Sequence, residues 1–242
     1  MLEKTIKIAS FDVYPNSTLK PSALQRYMQQ IAREDCDDMG CTYIDMRNVN
    51  MVFVLTKLAI EISAPIYAYD EIVIKTFNNR ISGVSFEREF ELYKNGLKVA
   101  HATTQWVIVN YDTRRIVRPK DFPFNIPEHN LDCGSLPLPR TISGETVPQE
   151  LGVRVVRLSD LDENNHLNNC VYPDIAMDII DYDTKNQYVK SVVIIFKHEA
   201  VLGDSLKLSL AKSGSNNLVF AYNANSDAPC FEAMLGLAEI NN

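Results

Sequence analysis

The most concentrated run of polar side chains lies in residues 159–170, directly before a predicted helix. If this stretch is extended, Asp162, Asn164 and His166 point to one side of the chain, because side chains two residues apart share a face. A carboxylate, an amide and an imidazole in one cluster are groups that move protons and polarise a bond. The free N–H groups at the start of the following helix would add an electropositive spot for a developing oxyanion.

Other interpretations of this segment stay open at this point. Its acidic spacing resembles the opening of a calcium loop, but Asn165 and Val171 stand where that loop needs Gly and Glu. A metal site built from His166 and His198 would have no further soft ligands. The segment could equally be a polar turn in which one of the asparagines at 168–169 caps the helix.

The elements that position this segment occur in the same order twice. The hydrophobic pattern predicts a strand at 5–13, a helix at 21–39 and strands at 51–62, 71–77, 84–93 and 98–110, then a strand at 153–158, a helix at 171–183 and strands at 188–197, 205–210, 218–222 and 231–240. In the first helix, Leu24 and Met28 lie on an apolar face and Gln25 on the polar one. Three identities also overlay at an offset of 148 residues, namely Asp12 with Asp160, Asn16 with Asn164, and Leu19 with Leu167. A duplicated unit is therefore predicted.

One helix followed by several strands indicates an α+β fold, because a parallel sheet would need a helix after each strand. We expect two antiparallel sheets, each wrapped around a long helix and joined into one continuous sheet. Six of the eleven prolines fall within residues 119–150, which predicts a linker between an N-terminal domain at 1–118 and a C-terminal domain at 151–242. A ligand is expected between sheet and helix, where an apolar slot is easiest to leave open.

Composition excludes several classes of protein. The net charge of −7 argues against a nucleic-acid or anionic-membrane binder, because such proteins need a basic field. There is no run of eighteen apolar residues and no secretory pattern at the start, so a soluble, cytoplasmic protein is expected. The five cysteines are scattered and contain no C-x-x-C pair, which predicts neither a disulfide framework nor a zinc site and fits a reducing compartment.

The polar segment resembles a known active-site motif. Asp162, Asn164, His166 and the asparagines at 168–169 match the D-x-N-x-H-x-N-N pattern of the acyl-acyl-carrier-protein (acyl-ACP) thioesterases, the plant plastid enzymes and their bacterial relatives. The stretches VLTK at 54–57 and ATTQWVIVNYDTRR at 102–115 resemble further motifs of that family, in the same order. The resemblance covers nearly the whole chain except the predicted linker.

This resemblance implies a tandem double hotdog fold and hydrolysis of the thioester between a fatty acyl chain and acyl carrier protein, which releases the fatty acid and ends chain elongation. It implies no cofactor and no metal. The family has an acidic residue about 35 positions after the motif, and Glu199 is its counterpart here. The family's cysteine next to it is replaced by Ala200, so that position supplies no nucleophile and water or Glu199 must attack. Cys170 is expected to be a small buried residue.

The expected roles follow from the same resemblance. Glu199 would activate water as the catalytic base, with direct attack by its carboxylate as the alternative. Asn164 would position the water or the carbonyl, and His166 would polarise the site or protonate the leaving thiolate. Asp162 would orient Asn164 and His166.

Acyl carrier proteins are acidic, so the enzyme needs a local basic patch near the pocket mouth. The candidates are Arg114, Arg115, Arg118, Lys120, Lys185 and Lys190. Two other functions stay open, namely hydrolysis of acyl-coenzyme A or aromatic thioesters on the same fold, and a sensor that binds acyl thioesters without cleaving them. The sequence leaves the acyl-chain length open, and equally the choice between monomer and homodimer.

Overall fold

The alternating apolar residues of the chain form the strands of a single antiparallel sheet. The computed structural model describes residues 1–240. The strands are β1 (Leu2–Lys7), β2 (Met51–Ile62), β3 (Glu71–Ser82), β4 (Ser85–Lys94), β5 (Leu97–Asn110), β6 (Ile116–Val117), β7 (Gln149–Val155), β8 (Gln187–Phe196), β9 (Ser205–Ser213), β10 (Asn216–Asn223) and β11 (Pro229–Glu239). The predicted antiparallel sheet is therefore present, and it is continuous, as expected.

The order of strands in the sheet repeats itself. Within the described residues, the order is β1-β3-β4-β5-β2-β8-β11-β10-β9-β7, with the short β6 beside β5. When read from its two edges, each half of the sheet follows the same order, so that β1 corresponds to β7 and β2 to β8. The two halves meet where β2 pairs with β8. The order of elements that the sequence predicts twice is thus repeated in space.

Helix α1 (Pro21–Asp38) forms where the sequence predicts it. Pro21 fits the first turn because its fixed φ is helical and its missing N–H would be unpaired there. Gly40, with φ of +72°, follows the end of the helix in the left-handed conformation that favours glycine. Gln25 is buried, with 2% of its surface exposed, although it was expected on the polar face. Helix α1 also contacts the helix of the second half.

The second predicted long helix is wrong in length. The residues expected to form a helix at 171–183 contain only the short α3 (Tyr172–Met177). Asp174 and Asp178 are four residues apart, and like charges at that spacing destabilise a helix. Asp181 and Asp183 would place further negative charge at the end of the helix, where the dipole favours cations. The helix therefore stops before its acidic half. Within residues 1–240, no helix is both long and apolar enough to cross a membrane.

The main hydrophobic core lies between the helices and one face of the sheet, and both halves contribute to it. Its largest fully buried side chains include Leu24 and Met28 from α1 and Phe90 and Phe231 from the sheet. A third helix, α2 (Tyr43–Asn48), is held at its start by Thr42 and Asp45, whose side chains each accept a hydrogen bond from the other residue's backbone N–H. A second cluster beside α2 gathers aromatic residues from β2, β4 and β5.

The proline-rich segment, residues 119–148, runs along the opposite face of the sheet and is called the strap below. The carboxylate of Glu89 is fully buried on that face and accepts hydrogen bonds from Thr103 at 2.7 Å and from Ser135 of the strap at 2.6 Å. His101 lies 2.8 Å from the same carboxylate. At Gly144 the strap passes so close to β10 that a Cβ atom would lie 2.8 Å from the Leu218 side chain. The expected linker is therefore packed against the sheet by polar and apolar contacts.

Candidate active site

The polar segment before α3 folds as a tight loop, and the extended conformation expected from the sequence is wrong. Leu161 and Leu167 form an isolated β-bridge, and the N–H of Asp162 donates to the carbonyl of His166 at 2.9 Å. Asn165 at the tip has a φ of +61°, a left-handed conformation that asparagine tolerates better than most residues. The loop therefore reverses direction between Asp162 and His166.

Asp162 organises this loop through its backbone. Its Oδ1 accepts the N–H of Asn164 at 2.8 Å and the N–H of His166 at 3.2 Å. Because both hydrogen bonds end on one carboxylate oxygen, the loop presents the two following polar side chains in a fixed arrangement. Asp162 thus contacts the same two residues that it was expected to orient.

His166 and Glu199 meet although they are far apart in sequence. A β-bridge between His166 and Val201 and a hydrogen bond from the Leu167 N–H to the Ala200 carbonyl at 2.8 Å dock the loop on the segment that follows β8. The Nε2 of His166 then lies 3.4 Å from the Oε2 of Glu199. The two side chains are 25% and 42% exposed, so both reach solvent and any molecule bound there.

Arg114 completes this group from the other half of the chain. Its Nη2 donates to the Oε2 of Glu199 and lies 3.4 Å from the Nε2 of His166. The sequence predicted a docking role for this arginine and did not place it in the site. Its position in the turn after β5, within the motif shared with the family, is the only sequence signal that could have placed it there.

Asn164 points the other way, toward α2. Its Oδ1 accepts a hydrogen bond of 2.9 Å from the hydroxyl of Tyr43, which was not predicted as a site residue. Because the carbonyl oxygen of the amide is occupied, its NH2 group is left to donate to a ligand. No motif marks Tyr43, and only the Thr42 capping pattern indicates that a helix begins there.

A cavity of about 410 Å³ opens beside Asp162 and Asn164. This volume falls within the range of about 300–1,000 Å³ that is usual for small-molecule sites. Its apolar wall lies between α1, α2, the sheet and the strap and consists of Ala32, Cys41, Met46, Val52, Phe53, Phe86, Trp106 and Ile126. An apolar chain can occupy this cavity while its polar end stays at the loop. The expectation of a slot between helix and sheet is met at this place.

Three other candidates lie outside this group. His198 turns away, and its Nδ1 lies 2.8 Å from the carbonyl of Pro229, so it does not join His166 in a metal site. Ala200 is fully buried next to Glu199. Cys170 is also buried, and burial raises the pKa of its thiol to about 12. A thiol with that pKa stays protonated near neutral pH and is a poor nucleophile.

Three positions at the start of α3 do not supply the oxyanion donor expected there. Asn168 Oδ1 accepts the N–H of Cys170 at 2.9 Å, and its carbonyl accepts the N–H of Val171 at 2.8 Å. The next position but one is Pro173, which has no N–H. The helix N-cap is Val171, whose side chain cannot cap, so the expected capping by an asparagine at 168–169 is wrong. Asn168 instead closes the turn that precedes the helix.

The loop places an imidazole beside a carboxylate and a guanidinium, and it presents a free amide donor at a cavity that has one apolar wall and one polar wall. Family comparison agrees with the motifs. The family model for the acyl-ACP thioesterase N-terminal domain matches residues 1–122, and that for the C-terminal domain matches residues 146–233. The chain belongs to the acyl-ACP thioesterase family. The motif at 162–169 and Glu199 both lie within the second matched region.

Individual relatives of this acyl-ACP thioesterase family member support the same assignment. An oleoyl-acyl carrier protein thioesterase from Arabidopsis thaliana is 25% identical over 88% of this chain, and the match spans 63% of that relative's length. The crystal structure of an acyl-ACP thioesterase from Bacteroides thetaiotaomicron superposes with a TM-score of 0.88 at 20% identity, covering 98% of this chain and 97% of that one. A 12:0-ACP thioesterase from Umbellularia californica superposes with a TM-score of 0.81 at 16% identity, covering 99% and 97%. These structures share the fold, an α+β arrangement with a large antiparallel sheet and few helices.

Proposed function

We propose that this chain hydrolyses the thioester of fatty acyl-ACP, releases the free fatty acid and thereby ends chain elongation. The observation that carries the proposal is the contact of His166 with Glu199, because His166 belongs to the same loop as Asn164, which lines a cavity with an apolar wall. A base and an acid are thus in contact beside a loop that also borders a space for an acyl chain. Membership of the family and the names of its relatives support the same reaction.

In the proposed reaction, Glu199 acts as the general base. Water attacks the thioester carbonyl carbon and gives a proton to the Glu199 carboxylate, forming a tetrahedral oxyanion. The amide NH2 of Asn164, left free by the hydrogen bond from Tyr43, donates to that oxygen. This arrangement would stabilise the charge where it develops.

His166 serves the second half of the reaction as the general acid. The tetrahedral intermediate collapses, the C–S bond breaks, and the leaving thiolate takes a proton from the imidazole. The proton on Glu199 then returns to His166 across the 3.4 Å that separates Oε2 and Nε2. Asp162 keeps both loop residues in place through its two backbone hydrogen bonds and takes no proton itself.

We also propose that the fold is a tandem double hotdog. The support is the strand order, which runs identically through both halves of the sheet, and the packing of α1 across the first half. The N-terminal domain would then comprise residues 1–118 and the C-terminal domain, with the catalytic residues, 151–242. The segment at 119–150 links them.

The proposed partner is an acyl carrier protein, whose acidic surface requires cations near the cavity mouth. Arg115, Arg118 and Lys120 are exposed and follow Arg114 in the chain. Arg114 itself is engaged by Glu199. The proposed docking residues are therefore Arg115, Arg118 and Lys120, with Lys185 and Lys190 as further exposed candidates.

The test is to incubate the protein with a mixed pool of acyl-ACPs and to identify the released fatty acids by mass spectrometry. We expect free fatty acids from the wild-type protein and none above background from His166→Ala. Parallel reactions with acyl-coenzyme A at equal concentration measure the selectivity for the carrier protein. Binding of acyl-ACP without release of fatty acid would overturn the proposal and favour a sensor, and faster hydrolysis of acyl-coenzyme A would replace the proposed partner.

A further inference from the structure

Arg114 is presented by an ordered turn between β5 and β6. Asn110 Oδ1 accepts the N–H and the hydroxyl of Thr113, each at 2.9 Å, and the Asn110 carbonyl accepts the Arg114 N–H at 2.9 Å. Arg114 has a φ of +57°, a left-handed conformation that is uncommon for a residue with a side chain. The Asn110 hydrogen bonds hold the backbone in this conformation, so the turn fixes the direction in which the guanidinium leaves the first half of the chain.

The guanidinium reaches across to the second half and ends between the two reacting side chains. Its Nη2 donates to Glu199 Oε2, and the same nitrogen lies 3.4 Å from His166 Nε2. Among the described residues, the Glu199 carboxylate has no hydrogen-bond or ion-pair partner besides Arg114 and His166. Glu199 itself follows β8 in a segment without regular structure, so its own backbone holds the side chain weakly.

Free rotation would remove Glu199 from the reaction for much of the time. A glutamate side chain loses rotamer entropy when it becomes ordered, and an exposed carboxylate has no packing to offset this loss. A guanidinium donates in a fixed plane and therefore restrains a carboxylate more strongly than a point charge does. Arg114 supplies this restraint at the oxygen that faces His166.

We infer that Arg114 is a positioning residue, which holds the Glu199 carboxylate against His166 so that the base faces the attacking water. This inference rests on the proposed function. It differs from the docking role expected from the sequence, in which the same cation would bind the acidic surface of the acyl carrier protein. The positioning role and the docking role make opposite predictions for a substrate without a carrier protein.

The experiment compares Arg114→Ala and Arg114→Lys with the wild-type protein on two substrates, acyl-ACP and the acyl thioester of N-acetylcysteamine, which has no phosphate and no protein. We expect kcat of Arg114→Ala to fall about 100-fold on both substrates with KM nearly unchanged, because misplacing a reacting group by about 1 Å costs a loss of that order. Arg114→Lys should keep the charge and recover part of kcat. Millimolar guanidinium ion should restore part of the kcat of Arg114→Ala by occupying the vacated place.

The matched control is Arg80→Ala, because Arg80 is an exposed arginine paired with a glutamate, Glu87, at 2.6 Å outside the site. It should leave kcat unchanged, and thermal unfolding of each variant checks that it is folded. A loss confined to acyl-ACP and expressed in KM would overturn the inference in favour of docking, and so would unchanged kcat in Arg114→Ala. The double variant Arg114→Ala with Glu199→Ala should be no slower than Glu199→Ala alone. If the wild-type protein hydrolyses neither substrate, the proposed function itself has failed.

Discussion

The loop before α1 and the loop before α3 have the same backbone and different chemistry. In the first loop the Tyr14 N–H donates to the Thr18 carbonyl at 2.8 Å, as the Asp162 N–H does to the His166 carbonyl at 2.9 Å. Each of these pairs is related by the offset of 148 residues. Other features repeat at the same offset. The β-bridge Val13–Leu19 corresponds to Leu161–Leu167, and the hydrogen bond from the Lys20 N–H to Asp12 corresponds to that from the Asn168 N–H to Asp160. Ser17 and Asn165 are both left-handed. The two loops are therefore structural repeats.

Only one of the repeats carries the acid and base groups. Tyr14 and Thr18 occupy the places of Asp162 and His166, and Pro65 occupies that of Glu199, since Leu19 bonds to Ile66 as Leu167 bonds to Ala200. In the first loop the tyrosine ring packs on Tyr182 with centroids 4.9 Å apart. The same loop conformation thus carries side chains that pack against neighbours in the first repeat and side chains that can exchange protons in the second. The loop geometry positions side chains, and the side chains decide whether there is a reaction.

The largest effect should come from removing the acid or base from the second loop alone. We expect His166→Ala and Glu199→Ala each to lower kcat by about 10²–10⁴-fold, the usual contribution of a general acid or base. The equivalent change in the first loop, Thr18→Ala, should leave kcat within about 2-fold of the wild-type value. Steady-state hydrolysis of acyl-ACP measures all three, and equal losses from Thr18→Ala and His166→Ala would break the asserted difference between the loops.

A smaller effect is expected from residues that stabilise one loop and have no such role in the other. Asp162→Ala removes the acceptor of two backbone N–H groups, and hydrogen bonds to a charged group contribute about 1.5–3 kcal/mol each. We expect the free energy of unfolding to fall by about 2–4 kcal/mol, less than the sum of the two bonds because Asp162 is partly exposed and water can replace part of each bond, together with a loss of kcat. Tyr14→Phe should instead leave stability unchanged or raise it by about 1 kcal/mol, because within the described chain the buried Tyr14 hydroxyl has no partner. Urea unfolding measures the stability of Asp162→Ala and Tyr14→Phe. Equal destabilisation of both variants would contradict the expected difference between the loops.

The sequence predicts some elements around these loops accurately and others poorly, for physical reasons. Strict alternation gives β2 with both bounds correct at 51–62, and a 3.6-residue repeat with Pro21 and Gly40 gives α1. The repeated order of elements indicated the duplication, and three identities at one offset added weaker support. The first strand of each half was predicted too far along the chain, since β1 ends at Lys7 and β7 at Val155. In both places apolar residues continue from the strand into the loop, and hydrophobicity alone does not separate the two.

Contacts between distant residues are the part that local patterns miss. The partner of Asn164 is Tyr43, and that of Glu199 is Arg114, residues of the first half that the sheet brings against the second loop. No periodicity encodes such pairs, because they depend on how β2 and β8 join the halves. The length of α3 was overestimated for a different reason, since an apolar period continued past Met177 while the accumulated aspartates opposed the helix.

A modest effect should come from Tyr43. In the first loop, Asn16 uses both ends of its amide, donating to the Gln187 carbonyl at 2.7 Å and accepting from Thr18 at 2.8 Å. In the second loop, Tyr43 occupies only the oxygen of Asn164 and leaves the NH2 group for substrate. Tyr43→Phe should lower kcat about 3- to 10-fold, as expected for one hydrogen bond of about 0.5–1.5 kcal/mol. Thr18→Val removes the hydroxyl that donates to Asn16 Oδ1 and is the matched change in the first loop. It should affect unfolding alone, so a comparable loss of kcat there would contradict this reading.

The smallest effect is expected at Cys170, whose equivalent in the first repeat is Ser22. Both are buried at the start of a helix, with 3% and 0% of their surface exposed, and a small buried residue at the same place in both loops indicates packing. Because burial raises the pKa of the Cys170 thiol to about 12, the thiolate is scarce at pH 7–9. Alkylation by iodoacetamide should therefore be slow there and accelerate only as the pH approaches 12. Cys170→Ala should keep kcat within about 2-fold, with the change confined to the free energy of unfolding. If the thiol were the nucleophile, Cys170→Ala would abolish turnover. Ser22 could not share that role, so this substitution decides whether the two repeats differ in chemistry at this position.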